Sequence, residues 1–127
     1  MNTSEARKLW AEALESGEYE QTTEWLQGDG GFCCLGVACE VAEECGIRVT
    51  REWDTDELDG SDLSDQPDVQ EWLGLTGESG SFKIPPYRTS NPNRISTSLV
   101  KLNDEGNTTF AELAAIIRAE PKGLFNE

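Results

Sequence analysis

The segment from Gly30 to Gly46 constrains this chain most, because it contains all four cysteines and begins with a glycine-rich turn. Its small and apolar residues recur at helical spacing, which predicts a helix from about Cys34 to Cys45 that is closed by Gly46. A buried cysteine behaves as a small hydrophobic residue, so the pattern indicates core packing. The Gly28–Gly31 turn before the helix predicts a hairpin rather than a phosphate-binding loop, since no P-loop lysine follows it.

Two kinds of cysteine chemistry compete with the packing interpretation. Structural zinc sites use two separated Cys pairs, and the spacing Cys33-Cys34, Cys39, Cys45 does not supply them. Cys33 and Cys34 are expected at a helix N-terminus, a position that lowers a thiol pKa. Yet a cysteine nucleophile needs a base, and the chain has no histidine. We therefore expect no metal, no cofactor and no catalytic residue. A cysteine-dependent enzyme using Cys33 or Cys34 remains an alternative.

Length and periodicity predict the fold class. A chain of 127 residues corresponds to a single domain, 1–127. Four Trp, four Phe and two Tyr supply large core side chains. The sequence predicts an α+β, mostly helical domain with about five short helices and a small antiparallel sheet. The other expected elements are a helix over 4–15 capped by Ser4, an extended segment over 19–26, strands over 47–53 and 82–84, a helix beginning at Pro67, a helix capped by Ser96 or Thr97, and a last helix opened by a Thr109–Glu112 capping box.

The charge of the chain limits its partners. The net charge of −15 argues against binding a nucleic-acid backbone or an anionic membrane surface, because both require clustered Lys and Arg. No apolar run reaches the ~20 residues that span a bilayer, and the N-terminus does not resemble a secretory signal. We therefore expect a cytoplasmic protein with reduced cysteines.

Acidic and basic residues are unevenly distributed. Residues 52–78 contain ten of the 25 acids and neither Lys nor Arg. This acidic segment is either a solvated loop or a docking face for a basic partner. A calcium-binding EF-hand loop is a weaker interpretation, because the segment lacks the closing bidentate Glu. Residues 79–103 contain no acid at all. They either pair with the acidic segment or bind a small anionic ligand. The ligand-binding residues that we predict are Lys83, Tyr87, Arg88, Asn91 and Arg94.

Two patterns at the ends of the chain provide a resemblance. The first comprises Trp10, Ala13, Leu14, Ser16, Gly17, Tyr19, Gln21, Gly31–Val37 and Cys39, and the second comprises Leu102–Gly106 and Thr109–Ala114. In these residues the chain resembles a family of small bacteriophage and prophage proteins. The resemblance skips residues 47–95. It implies a phage context and a shared fold, but no activity.

These observations favour a non-enzymatic accessory protein of phage type in the host cytoplasm. It would bind a host factor or a small anionic ligand, and it would counteract a host process such as defence. One alternative is an acidic mimic of DNA or another polyanion that inhibits a basic host protein. The other is the cysteine-dependent enzyme. The sequence does not predict an oligomeric state.

Overall fold

The computed structural model describes residues 2–83 and 96–126. Within them, five α-helices and two antiparallel sheets of two strands each form an α+β, mostly helical fold, as the sequence predicts. In chain order the elements are α1 Thr3–Glu15, β1 Gln27–Gly28, β2 Gly31–Phe32, α2 Cys34–Glu44, a 3₁₀ turn Leu63–Asp65, α3 Pro67–Leu73, β3 Ser81–Lys83, β4 Ser96–Ser98, α4 Leu99–Asp104 and α5 Phe110–Ala119.

Helix α1 covers one side of the core. Its apolar stripe buries Trp10 completely and Leu14 almost completely, and the helix packs against α5, α2 and α3. Asn2 rather than Ser4 caps the helix, because the Asn2 side chain accepts a hydrogen bond of 2.8 Å from the Glu5 backbone N–H. The helix therefore begins two residues earlier than a cap at Ser4 would require.

Helix α2 lies at the centre of the molecule. It contacts α1, α3 and α4, and nearly all of its residues from Cys34 to Ala42 are buried. The two-residue turn before it has positive φ at Asp29 (51°) and Gly30 (82°), the combination that two-residue hairpins with type I′ turns require. The predicted hairpin, the helix and its closure by Gly46 are thus confirmed.

The predicted strand over 47–53 is wrong. Ile47 and Val49 are half-buried in alternation, but no strand pairs with this segment. Its backbone makes scattered contacts instead: Gln66 accepts from the Thr50 N–H at 2.7 Å and donates to the Thr50 carbonyl at 2.7 Å. The Asp59 N–H also donates to the Thr50 carbonyl at 3.0 Å, and the Glu52 N–H donates to the Glu57 carbonyl at 2.8 Å. A single bridge between Arg51 and Leu58 is the only ladder contact within it.

The C-terminal elements follow the predicted pattern with one shift. Residues 96–98 form β4, paired with β3, and Ser98 rather than Ser96 or Thr97 caps α4. The capping box of α5 is confirmed, since Thr109 and Glu112 bond reciprocally. In the 19–26 segment, backbone around 20–22 pairs with Phe32 and residues 23–26 bend.

Candidate functional site

The predicted ligand-binding set falls largely outside the described residues. Lys83 is exposed on β3, and its backbone N–H donates to the Lys122 carbonyl at 2.9 Å, which brings the chain around Lys122 beside this strand. Tyr87, Arg88, Asn91 and Arg94 lie outside the residues that the structure describes. The anion-binding site therefore stays a prediction.

The cysteines of the motif face the core. Cys33, Cys34 and Cys39 are buried, and Cys45 at the end of α2 is exposed. Burial raises the pKa of the Cys33 thiol to about 11 and raises the pKa of Cys34 and of Cys39 above its usual range. At neutral pH these three thiols are protonated, so they are poor nucleophiles.

Each half of the double cysteine has a structural contact. The Cys33 sulfur caps α2 by accepting from the Gly36 backbone N–H at 3.4 Å. The Cys34 carbonyl accepts a hydrogen bond of 2.9 Å from the buried indole N–H of Trp10. The Cys34 thiol lies 3.8 Å from the Leu99 carbonyl oxygen, which it can donate to. These contacts connect α2 to α1 and α4.

The glycines of the motif permit close backbone contacts. A Cβ on Gly31 would lie 2.6 Å from the Glu20 carbonyl oxygen. A Cβ on Gly36 would overlap the Leu26 carbonyl oxygen and lie 2.8 Å from the Leu26 carbonyl carbon. Gly36 therefore allows α2 to pack closely against the Leu26 backbone.

The two resembling patterns, one near each end of the chain, meet in space. The side chain of Asn103, fully buried, donates to the Thr22 carbonyl at 2.7 Å and accepts from the Gln21 amide at 2.9 Å. The neighbouring Asp104 carboxylate accepts from the Glu24 backbone N–H at 2.9 Å. The resembling residues thus build the scaffold of the fold.

The acidic segment 52–78 is solvent-facing. Seven of its ten acids are exposed and the other three are half-buried. The ion pairs found within residues 2–83 and 96–126 are Arg7–Glu120, Arg51–Glu40, Arg51–Glu43 and Arg118–Glu15. In this part of the chain, none of the ten carboxylates of the acidic segment pairs with a cation. Among the described residues, therefore, no cation neutralises their negative charge.

The first part of the acidic segment is held on the core by buried and half-buried polar groups. Gln66, 1% exposed, donates to the carbonyls of Thr50 and Asp59. Gln27 accepts from the Leu58 backbone N–H at 2.9 Å. Arg51 bonds to Glu40 and Glu43 of α2 and to the Asp56 carbonyl, so it connects the segment to the central helix. This arrangement around Arg51 was not predicted from the sequence.

An exposed tryptophan lies in the first turn of the acidic segment. Trp53 is 95% exposed and Trp25 is 58% exposed. The residue after Trp25, Leu26, donates its backbone N–H to the Gly60 carbonyl of the acidic segment. The strand prediction over 47–53 gave no reason to expect this exposure. An aromatic residue between acids, as in Glu52-Trp53-Asp54, is the sequence signal that could have indicated it.

Two surface grooves accompany these features. An open groove of about 650 Å³ runs beside Ile47 and Trp72, with Arg48, Asp68 and Glu71 on its walls. A smaller one of about 280 Å³ is bordered by Arg7, Lys8 and Arg118. Two of those three cations are already paired, Arg7 with Glu120 and Arg118 with Glu15, so the second groove offers little free positive charge.

Across 2–83 and 96–126, no three His, Cys, Asp or Glu side chains are grouped so that they could hold a metal ion. No helix in this described part has the length and apolar character needed to cross a bilayer.

Comparison with known proteins identifies a family. Neither the curated proteins nor the solved structures give a significant match. The chain matches the family described as a domain of unknown function (DUF8296) over residues 1–121, which is nearly its whole length. The chain therefore belongs to the DUF8296 family.

Proposed function

We propose that this protein is a non-enzymatic binding protein that docks a basic partner protein on the acidic segment 52–78. The observation that carries the proposal is the set of ten exposed or half-buried carboxylates without a cationic partner among the described residues. An acidic surface of this kind attracts basic partners and accelerates their association.

The resemblance to phage proteins supports a host protein as this partner and the host cytoplasm as the location. Interference with a host process such as defence is the corresponding biological role. Mimicry of DNA or another polyanion is the narrower form of the same proposal, in which the partner is a protein that normally binds nucleic acid.

The cysteine-dependent alternative has less support. Cys33 and Cys34 are 2% and 0% exposed, and burial raises the pKa of both thiols. Each also has a packing role, Cys33 as a helix cap and Cys34 at the contact with Trp10.

Binding of a small anionic ligand remains a second candidate. Lys83 has an exposed side chain, and the chain at Lys122 is hydrogen-bonded to its strand. Two lysines therefore lie near the start of residues 79–103, the segment without acids, and this observation favours the candidate.

The main proposal is tested with a fluorescent nona-lysine peptide and anisotropy at several NaCl concentrations. In the first variant four acids of the segment are neutralised: Asp54→Asn, Asp56→Asn, Glu57→Gln and Asp59→Asn. The matched control neutralises four acids elsewhere: Glu12→Gln, Glu18→Gln, Glu20→Gln and Glu44→Gln. Both variants carry the same net charge.

We expect the segment variant to lose about tenfold in affinity and much of its salt dependence, while the control loses less than about twofold. Equal losses would mean that peptide binding follows total charge alone. In that case the acidic segment would be a solubility feature, and the proposal would fall.

A further inference from the structure

Trp53 stands apart from the other tryptophans. Trp10 and Trp72 are buried at 0% and 9% exposure and Trp25 is 58% exposed, whereas Trp53 is 95% exposed. An indole buries 150–250 Å² when it packs, so leaving one fully in water forgoes a large apolar contact. Tryptophan is also enriched among the residues that contribute most of the binding energy at protein interfaces.

The loop that carries Trp53 is ordered by its own hydrogen bonds. The Glu52 N–H donates to the Glu57 carbonyl at 2.8 Å, and the Asp56 N–H donates to the Glu52 carbonyl at 2.9 Å. At the base of the loop, the backbones of Arg51 and Leu58 form an antiparallel bridge, and Leu58 is only 3% exposed. Because the backbone is already fixed, a partner that contacts the indole pays little entropy for ordering the loop.

The chemistry around Trp53 favours a cation. Glu52, Asp54 and Asp56 are its near neighbours in the loop, and all three are exposed. An aromatic face beside carboxylates suits a guanidinium, which stacks on the ring while its N–H groups donate to the acids. The ammonium of lysine is more strongly hydrated and does not stack in this way.

Charge argues against other occupants. A second copy of the chain would bring another −15 to the contact, and an anionic lipid surface would repel the same carboxylates. An uncharged apolar partner would leave the acids around the indole desolvated and unpaired. A basic polypeptide is the occupant that satisfies both the ring and the acids.

We propose that Trp53 is the contact residue for an arginine side chain of the basic partner, so that the protein selects arginine-rich over lysine-rich segments. This inference rests on the proposed function and names the chemistry of its partner. A stacked guanidinium contributes about 3- to 30-fold in affinity, depending on how far the contact excludes water.

The test compares nona-arginine with nona-lysine, two peptides of equal charge, by anisotropy on the wild type, Trp53→Ala and Trp53→Phe. We expect the wild type to prefer nona-arginine by at least threefold, Trp53→Ala to reduce the preference below twofold, and Trp53→Phe to keep part of it. Since the indole is 95% exposed, Trp53→Ala should fold normally, and an unchanged melting temperature verifies this.

The outcomes separate the two proposals. An arginine preference that is missing in the wild type, or that survives in Trp53→Ala, overturns the inference. If the four substitutions in the acidic segment still weaken nona-lysine binding, the proposed function stands without the arginine selectivity. If neither the acid substitutions nor Trp53→Ala affects binding, both proposals are wrong.

Discussion

Replacing Gly36 by alanine tests whether the double-cysteine motif is a packing device. In a helix interior, Gly→Ala normally stabilises by about 0.5–1 kcal/mol, because glycine has the larger conformational entropy in the unfolded chain. At Gly36 the added Cβ would overlap the Leu26 carbonyl oxygen and lie 2.8 Å from its carbon and 3.3 Å from the Leu26 Cα. All three neighbours are backbone atoms, which cannot rotate away as a side chain can.

The expected cost follows from these contacts. Forcing a methyl group into a packed site costs about 1–3 kcal/mol. Moving Leu26 away also weakens the hydrogen bond from the Cys33 N–H to the Leu26 carbonyl, 3.2 Å long, at about 1 kcal/mol more. After subtraction of the helix-propensity gain, Gly36→Ala should destabilise by about 1–3 kcal/mol. For a domain of this size that is a fall of several degrees in Tm.

Urea denaturation and thermal melts followed by circular dichroism measure this change. Gly77→Ala is the control, since no atom lies within 4 Å of the added Cβ and the backbone φ at Gly77 is not positive. We expect that variant to be neutral or slightly stabilised. If Gly36→Ala were as stable as the wild type or more stable, the close contact with Leu26 would not limit the helix, and the packing interpretation of the motif would be refuted.

Three further predictions concern the buried polar and thiol groups. Asn103→Ala should destabilise by about 2–3 kcal/mol in urea melts because it leaves buried partners unbonded, whereas Asn126→Ala, at an exposed position, should change stability by less than about 0.5 kcal/mol. In the native protein at pH 8 only one thiol per chain should react with Ellman's reagent, and Cys45→Ser should abolish that reaction; a second reactive thiol before unfolding would contradict the burial of the others. Burial raises the pKa of Cys33 from 9 to about 11, so between these pH values the folded state retains a proton that the unfolded chain loses. The contribution of this thiol to stability is therefore intact below pH 9. As the pH rises from 9 towards 11, the free energy of unfolding should fall by up to about 1.4 kcal/mol per pH unit. Urea melts at pH 8 and 10 should show a smaller fall for Cys33→Ala than for the wild type, and equal falls would disprove the assignment.

Local patterns predicted the helices, because their causes lie within a few residues of one another. The buried stripe of α1, the capping box at Thr109 and the closure of α2 by Gly46 are all contacts between near neighbours in sequence. The strand prediction over 47–53 was wrong because the contacts of this segment involve residues further along the chain. Its alternating burial is real, but Thr50 bonds to the Gln66 side chain, 16 residues away, and Arg51 forms only a single bridge with Leu58. No periodicity encodes these contacts.

The candidate surface was predicted in part. Counting acids was sufficient to find the charge of residues 52–78, since charge is a property of composition. The exposure of Trp53 was not predicted, because the strand pattern over 47–53 does not encode the loop hydrogen bonds between Glu52, Asp56 and Glu57. Asn103 was likewise expected only as a helix residue, and its contact with Thr22 spans 81 positions of the chain.

The two end patterns of the sequence belong to the scaffold of the fold, whereas the acidic segment belongs to its surface. Cys33, Gly36 and Asn103 belong to the resembling patterns. The Cys33 N–H bonds to the Leu26 carbonyl, Gly36 packs against the Leu26 backbone, and Asn103 bonds to the Thr22 carbonyl. Trp53 and the acids around it lie in 47–95, which the resemblance skips. Substitutions in the first group should therefore change stability and leave the peptide affinity of the folded protein intact, whereas substitutions around Trp53 should do the reverse. A Gly36→Ala protein that is still folded at low temperature but has lost peptide binding would show that scaffold and surface are coupled, and it would place the functional site within the motif after all.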